Sequence, residues 1–143
     1  MHVATILKQK GRAVTTAKPS TTLLEVVRKL AAKRIGAVVV VGARGAVVGI
    51  LSERDIVRAL SVQGPECLEQ PVSEIMTREV ITCQETDTLD DLMGMMTTWR
   101  FRHLPVVADG ALVGIISIGD VVKYHVAEVT MEATAMREYI THT

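Results

Sequence analysis

The sequence predicts an α+β fold made of two tandem copies of a β-α-β-β-α unit, followed by a helical extension at the C-terminus. Three observations support this prediction: the two halves resemble each other, apolar residues recur at helical spacing in each half, and short valine-rich runs flank tight turns. A length of 143 residues suits one compact unit or two small ones. Because 48% of the residues are hydrophobic and the net charge is zero, we expect a sizeable core rather than disorder.

The repeat is clearest at the start and at the end of each unit. Residues 14–23 align with residues 80–89, 66 positions later, and residues 49–57 align with residues 114–122, 65 positions later. A shorter match precedes the two units: Val3-x-x-Ile6-Leu7 and Val72-x-x-Ile75-Met76.

Breaker residues mark the boundary between the copies. Gly64 and Pro71 predict a linker at 63–71, between a first repeat at 1–62 and a second at 72–126. One copy alone is small enough to be marginally stable, so the two copies are expected to pack together and enlarge the buried core.

The first helix of each unit is expected to begin at a threonine. Thr22 and Glu25 have the spacing of a capping box, and Thr88 with Asp91 gives a weaker version of it. The apolar positions that follow recur at the spacing of a helix with one buried face. They are Leu23, Val26, Val27, Leu30 and Ala31 in the first copy and Leu89, Leu92, Met93 and Met96 in the second.

Two short apolar runs then predict a β-hairpin in each copy. They are residues 37–41 and 46–51 in the first copy and residues 104–107 and 112–116 in the second, with a glycine-containing turn between them.

The C-terminal tail, residues 127–143, is expected to continue a helix that begins before Asp120. Its apolar residues are spaced alternately by four and three positions, as in a coiled-coil seam. This seam is formed by Val122, Val126, Val129, Ala133, Met136 and Ile140. It could bind a second copy of the protein or pack back on its own domain, and the sequence leaves both open.

Charge is divided unequally along the chain. Residues 1–62 hold eleven Lys and Arg against three acids, a charge of +8, whereas residues 63–143 hold five against thirteen, a charge of −8. Opposite halves can face each other within one chain or across a head-to-tail homodimer, or they can form two ordinary solvated surfaces.

Composition argues against several function classes. Aromatic residues make up only 3%, too few for a base-stacking surface, so no nucleic acid is expected as a partner. Cys67 and Cys83 form no metal motif or disulfide framework, so we expect no metal and a reducing, cytoplasmic location. No signal peptide is expected, and the longest apolar stretch, residues 37–51, is too short to span a membrane. The sequence contains no recognisable pair of a nucleophile and a base, so we do not expect an enzyme.

The motif Gly-hydrophobic-hydrophobic-Ser-x-x-Asp occurs twice, as Gly49, Ser52 and Asp55 and as Gly114, Ser117 and Asp120. A second helix is expected to begin at each serine, and the Ser–Asp pair can be no more than a capping box. The same helix N-terminus also attracts phosphate. A serine hydroxyl there can donate to phosphate, and the aspartate can accept bonds from two vicinal ribose hydroxyls. This combination suits a nucleoside monophosphate.

Together with Thr16, Thr82 and the paired apolar strands, these motifs make residues 3–126 resemble a tandem pair of cystathionine-β-synthase (CBS) domains, known as a Bateman module. The resemblance implies two repeats related by a pseudo-twofold axis, with two clefts between them. Such clefts bind adenine nucleotides, commonly AMP, ADP, ATP or NAD(H), or S-adenosylmethionine.

The resemblance also implies roles for individual residues. Asp55 and Asp120 would hold ribose, and Ser52 and Ser117 would lie near phosphate or ribose. A threonine of the first strand would contact the nucleotide, and residues before and within the next strand would bound adenine or reach phosphate. The candidate nucleotide-binding residues are Thr16, Ala37, Ser52, Arg54, Asp55, Thr82, Arg102, His103, Pro105, Ser117 and Asp120.

The two copies differ just before the second strand. Arg102 and His103 can supply charge-assisted donors to phosphate, whereas their counterparts Gly36 and Ala37 cannot. We therefore predict unequal sites, with Arg102 and His103 directed into one phosphate-rich cleft. The alternatives are a solvated arginine and a packed histidine at a strand edge.

These features predict a stand-alone cytoplasmic regulatory module. It would bind an adenine nucleotide between its repeats and signal to an unknown partner protein through its conformation or through the packing of a homodimer. The alternative is a structural or dimerisation adaptor with vestigial nucleotide sites.

Overall fold

The computed structural model describes residues 1–142 and has the predicted α+β architecture of two repeats and a C-terminal helix. The helices are α1 (Val3–Lys10), α2 (Leu23–Lys33), α3 (Glu53–Gln63), α4 (Leu89–Trp99) and α5 (Ile118–His142). The strands are β1 (Thr16–Ala17), β2 (Ala37–Val41), β3 (Val47–Ser52), β4 (His103–Ala108) and β5 (Ala111–Ser117).

The sheet of the second repeat is smaller than that of the first. In the first repeat β1 runs parallel to β2, and β2 pairs antiparallel with β3. In the second repeat β4 and β5 form the hairpin, but the expected first strand is reduced to one parallel bridge between Cys83 and Val106. Cys83 N–H donates to Pro105 O at 2.9 Å, and Val107 N–H donates to Cys83 O at 3.0 Å. This bridge corresponds to the pair Ala17–Val40 of the first repeat.

The first helix of each repeat begins at the predicted threonine, but the relative strength of the two caps is the reverse of the prediction. Thr88 and Asp91 form a complete capping box, with bonds of 2.9 and 3.2 Å. Thr22 accepts a bond from Glu25 N–H at 3.3 Å, and the exposed Glu25 carboxylate makes no bond back to Thr22 N–H. Of the two acidic residues, only Asp91 therefore completes the reciprocal pair of hydrogen bonds that defines a capping box.

Each repeat takes part of its core from the segment that precedes the other repeat. We call these the leading segments, residues 1–10 and 71–77. Val3, Ile6 and Leu7 of α1 are completely buried in the core of the second repeat. Val72 and Met76 are buried in the core of the first. The two repeats are thus interlocked.

The predicted linker is packed rather than extended. Residues 65–69 form a short 3₁₀ turn, and Cys67 within it is completely buried in the core of the first repeat. Cys83 is buried in the second core, and its burial raises the pKa of the thiol to about 12. Neither cysteine is in a disulfide.

The C-terminal helix α5 leaves the body of the protein after its second turn. Val121 and Tyr124 are buried, whereas Val126, Val129 and Met136 are half or more exposed. Within residues 1–142 the apolar seam predicted from the spacing is thus largely exposed rather than buried against its own domain. None of the helices formed by residues 1–142 has both the length and the apolar character needed to cross a bilayer.

The ion pairs found in residues 1–142 all join the positive half of the chain to the negative half. The Met1 amino group lies 2.9 Å from Glu128 Oε1, and Lys10 Nζ lies 2.6 Å from Asp120 Oδ2. Arg12 pairs with Glu85. Part of the charge asymmetry is therefore compensated within one chain, by contacts that tie the N-terminal segment to the second repeat and to the C-terminal helix α5.

Candidate functional site: a cleft between the repeats

A cavity of about 370 Å³ lies between the two repeats, and we call it the first cleft. Its walls come from the β3–α3 junction, from residues 77–81 and from the turn between α4 and β4. Five of the predicted site residues lie along it: Ser52, Arg54, Asp55, Arg102 and His103. Residues separated by about fifty positions in the sequence thus meet at one site.

The first Ser–Asp motif combines a helix cap with an available carboxylate. Asp55 Oδ2 accepts bonds from Ser52 N–H at 2.9 Å and from Ser52 Oγ at 3.1 Å. Asp55 Oδ1 accepts a bond from Thr77 Oγ1 at 3.2 Å. The motif is therefore a complete capping box, which is the purely structural role that its sequence allowed. A carboxylate has about four acceptor positions, so Asp55 can still receive a further hydroxyl from the cleft.

The turn after α4 brings Arg102 and His103 to the cleft. Arg100 ends the helix in the left-handed conformation, with φ 59° and ψ 32°, which reverses the direction of the chain. Ile118 N–H then donates to Arg102 O at 2.8 Å and holds the turn on the start of α5. His103 begins β4 opposite Ser117.

His103 lies over Gly36, its neighbour from the first repeat. A Cβ at Gly36 would be 3.3 Å from His103 Cε1, so the glycine leaves room for the imidazole ring. Burial lowers the pKa of His103 below its ordinary value of 6.5, although the nearby Glu53 carboxylate acts in the opposite direction. The imidazole is therefore mostly neutral at pH 7, and an anion in the cleft would favour its protonation.

The first cleft contains more cationic groups than the sequence predicted. Its four arginines face three carboxylates, and aromatic and apolar side chains complete its walls. The lining residues that were not predicted are Gly36, Ile50, Glu53, Arg58, Thr77, Glu79, Val80, Ile81, Trp99, Arg100 and Phe101. Three of them, Trp99, Arg100 and Phe101, directly precede the predicted Arg102. This position in the sequence is the signal that could have indicated them.

The second Ser–Asp motif has the same cap but a different neighbour. Asp120 Oδ2 accepts bonds from Ser117 N–H at 2.8 Å and from Ser117 Oγ at 2.9 Å. It also accepts a bond from Lys10 Nζ at 2.6 Å, and the same ammonium donates to Ile115 O at 2.7 Å. Burial raises the pKa of Asp120, but the bonds from Lys10 and Ser117 outweigh this effect and leave it below the ordinary value.

Lys10 was not among the predicted site residues. The one sequence signal was the match between the two leading segments. In that match Leu7 aligns with Met76, so Lys10 aligns with Glu79. That match does not indicate which aspartate the lysine contacts.

The other predicted site residues do not line the first cleft. Thr16 pairs with Val39 in the sheet, and Ala37 is buried opposite Ser52. Thr82 is half-buried beside the Cys83 bridge, and Pro105 is buried in β4. Their contact with a nucleotide remains a prediction.

Comparison with known proteins identifies the class to which this fold and its paired motifs belong. The sequence model of the CBS domain matches residues 11–62 and 72–127. The chain therefore belongs to the CBS-domain family, as a tandem pair of CBS domains.

Similar proteins include a CBS-domain containing protein from Agrobacterium tumefaciens. Its crystal structure has 50% sequence identity and a TM-score of 0.84 over 87% of this chain and 99% of that one. The mitochondrial CBS domain-containing protein CBSX3 of Arabidopsis thaliana is 34% identical over 96% of this chain and 71% of its own length. The CBS domain pair of protein MJ0100, solved in complex with methylthioadenosine and S-adenosyl-L-methionine, is 28% identical with a TM-score of 0.80, over 90% of this chain and 98% of that one.

Proposed function

We propose that this CBS-domain pair is a regulatory module that binds an adenine nucleotide in the first cleft. The observation that carries the proposal is the meeting of Asp55 with Arg102 and His103 in one cavity between the repeats. A carboxylate that caps a helix and cationic donors from the other repeat match the two polar parts of a nucleotide, which are its ribose and its phosphate.

Each part of the ligand has a chemically suitable group in this cleft. The Asp55 carboxylate accepts bonds from the two ribose hydroxyls, in exchange for the Thr77 hydroxyl that it binds in the free protein. Arg102 and protonated His103 donate to phosphate oxygens, assisted by the N-terminus of α3. Val80, Ile81 and other apolar side chains offer a wall for the adenine ring.

The ligands of a relative support the adenosine class. Protein MJ0100 binds methylthioadenosine and S-adenosyl-L-methionine, two ligands that share adenine and ribose but carry no phosphate. In the present chain the arginines of the first cleft favour a ligand that adds a negative group to the same nucleoside. AMP, ADP, ATP and NAD(H) all satisfy this condition.

The bound nucleotide would act through the interlocked repeats. Because Asp55 belongs to the first repeat and Arg102 to the second, a ligand that contacts both favours one relative position of the repeats. It shifts the conformational equilibrium by its difference in affinity for the two positions. A homodimer or a partner protein that binds one position better would read this signal.

A structural adaptor is the second candidate function, and the exposed apolar face of α5 favours it. Val126, Val129 and Met136 lie on one side of the helix beyond the body of the protein. In this case α5 would be the active surface and the first cleft would be vestigial.

Nucleotide titration with a matched pair of variants tests the proposal. Isothermal titration calorimetry with AMP, ATP and NADH would be compared for the wild type, Asp55→Asn and Asp90→Asn. Asp90 is an exposed acid in the first turn of α4 with the same charge and no place in the cleft. We expect Asp55→Asn to weaken binding by about 1.5–3 kcal/mol, the usual value of a hydrogen bond to a charged group, and Asp90→Asn to leave it unchanged.

A fluorescence measurement locates the binding event. Trp99 is the only tryptophan, and it lines the first cleft. Its emission should change as nucleotide is added to the wild type. The same change in emission should need a higher nucleotide concentration in Asp55→Asn. Absence of heat and of a fluorescence change at submillimolar nucleotide, in a protein with a cooperative melting transition, would overturn the proposal in favour of the adaptor.

A further inference from the structure

We propose that Lys10 occupies the ribose-binding position of the second motif, so that each chain binds one nucleotide, in the first cleft only. This inference rests on the proposed function. It states that Lys10 determines whether one chain has one nucleotide-binding site or two.

The two repeats satisfy equivalent acceptors with different donors. In the first repeat Thr77 N–H donates to Ile50 O at 2.9 Å, and Thr77 Oγ1 donates to Asp55 at 3.2 Å. Ile115 O and Asp120 are the same two acceptors, 65 positions later. Lys10 Nζ alone binds both of them, at 2.7 and 2.6 Å. A backbone amide and a neutral hydroxyl in one repeat are thus replaced by one ammonium group in the other.

This replacement changes what the carboxylate can bind. Thr77 is neutral, and its hydroxyl can rotate away, so a ribose hydroxyl replaces it with a bond of similar strength. Lys10 carries a full positive charge, so its bond to Asp120 is also an ion pair, whereas Thr77 or a ribose hydroxyl gives the carboxylate no opposite charge. A ribose would have to break an ion pair whose side chains are only 24% and 20% exposed, and it would leave the ammonium without its partner.

The surrounding contacts keep Lys10 near Asp120. Lys10 is the last residue of α1, and Ile6 and Leu7 of this helix are completely buried in the second repeat. The chain on either side is held as well, by the pairs Met1–Glu128 and Arg12–Glu85. The base of the side chain is thus fixed beside the motif, unlike that of a lysine in a flexible terminus.

The stoichiometry of nucleotide binding tests this inference. AMP would be titrated calorimetrically into the wild type, Lys10→Met and the control Lys8→Met, which removes the same charge from an exposed position of the same helix. We expect one AMP per chain for the wild type and Lys8→Met, and two for Lys10→Met. Adding Asp120→Asn to Lys10→Met should return the number to one. Lys10→Gln, which is neutral but polar, provides a second variant should the methionine impair folding.

The outcomes separate this inference from the proposed function. If Lys10→Met and Lys10→Gln, both folded, still bind one AMP, Lys10 does not control the second site and the inference is wrong. It is equally wrong if the wild type binds two and Lys10→Met binds one, because Lys10 would then be a phosphate ligand. If the wild type binds none while Lys10→Met binds one without a change in Trp99 fluorescence, the proposed function of the first cleft fails and the role of Lys10 stands. If no variant binds AMP, both are overturned.

Discussion

Leu7 fills the space that Gly114 leaves open. A Cβ at Gly114 would lie 2.6 Å from Leu7 Cδ2, and Leu7 itself is completely buried. Met76 has the same relation to Gly49 in the other repeat. Each leading segment therefore inserts one long apolar side chain over the glycine that begins the Ser–Asp motif of the opposite repeat. The motif glycines have a packing role that is independent of any ligand.

Gly114→Ala is expected to destabilise the fold. The new methyl group must displace Leu7 from a closed core, and overpacking of this kind costs about 1–3 kcal/mol. Gly49→Ala should cost less, because Met76 has more rotatable bonds and is slightly exposed. Urea unfolding followed by circular dichroism measures both. Equal midpoints for the wild type and Gly114→Ala would show that Leu7 does not confine this position.

Gly94→Ala is expected to have the opposite effect. Gly94 lies in the interior of α4, and an added Cβ would meet nothing within 4 Å. Alanine restricts the unfolded chain and favours the helix, so the free energy of unfolding should rise by about 0.5–1 kcal/mol. The same urea experiment measures the change. A decrease in stability would mean that this helix face has a packing role not shown by the contacts of Gly94.

Arg102→Ala should separate recognition of phosphate from recognition of the nucleoside. A hydrogen bond between charged groups contributes about 1.5–3 kcal/mol, so AMP should bind at least about tenfold more weakly. Adenosine, which has no phosphate, should bind the variant and the wild type equally. Parallel calorimetric titrations of AMP and adenosine make the comparison. An equal loss for both ligands would assign Arg102 to the shape of the cleft instead of to phosphate binding.

AMP should bind more tightly as the pH falls, because of His103. In the free protein burial holds the pKa of His103 below 6.5, and the phosphate of a bound nucleotide would raise it. The complex then binds a proton that the free protein does not. Affinity should rise as the pH falls through the pKa in the complex and become constant below the pKa in the free protein.

His103→Gln is the control for this pH dependence. The titration of the AMP phosphate itself is the same in both proteins, so the difference between wild type and variant isolates the imidazole. Titration in two buffers of different ionisation enthalpy should show less proton uptake in the variant. Identical pH profiles would exclude His103 as the group that is protonated on binding.

The stability of the free protein should respond to pH in the opposite sense. The pKa of His103 is lower in the folded chain than in the unfolded chain, where it is near 6.5. The unfolded state therefore binds the proton more tightly, and the contribution of this residue to stability is lost as the pH falls through about 6.5. His103→Gln should reduce this loss in urea unfolding measured between neutral and mildly acidic pH.

Local spacing explains why much of the fold and of the first cleft could be predicted. The capping residues Ser52 and Asp55 are near neighbours, and helix-start geometry depends on only a few consecutive residues. Alignment of the repeats then showed that Arg102 and His103 replace Gly36 and Ala37. That difference predicts two unequal sites, and Arg102 and His103 both lie along the first cleft.

The contacts made by the leading segments could not be predicted in the same way. Lys10 contacts a residue 110 positions away, and Thr77 contacts one 22 positions away in the preceding repeat. These contacts depend on which repeat each leading segment packs against, and that is decided by burial of Leu7 and Met76 in three dimensions. The short match between the segments indicated that they are equivalent, but it carried no information on their partners.

The interlocked cores also determine the order in which the chain can fold. During synthesis α1 is made early, yet its main-chain partner Asp87 and its core neighbour Ile116 follow roughly a hundred residues later. The apolar face of α1 therefore lacks its native partners until these later residues have been synthesised. Because each core includes residues of the other repeat's leading segment, we expect the pair of repeats, rather than either repeat alone, to fold as one cooperative unit.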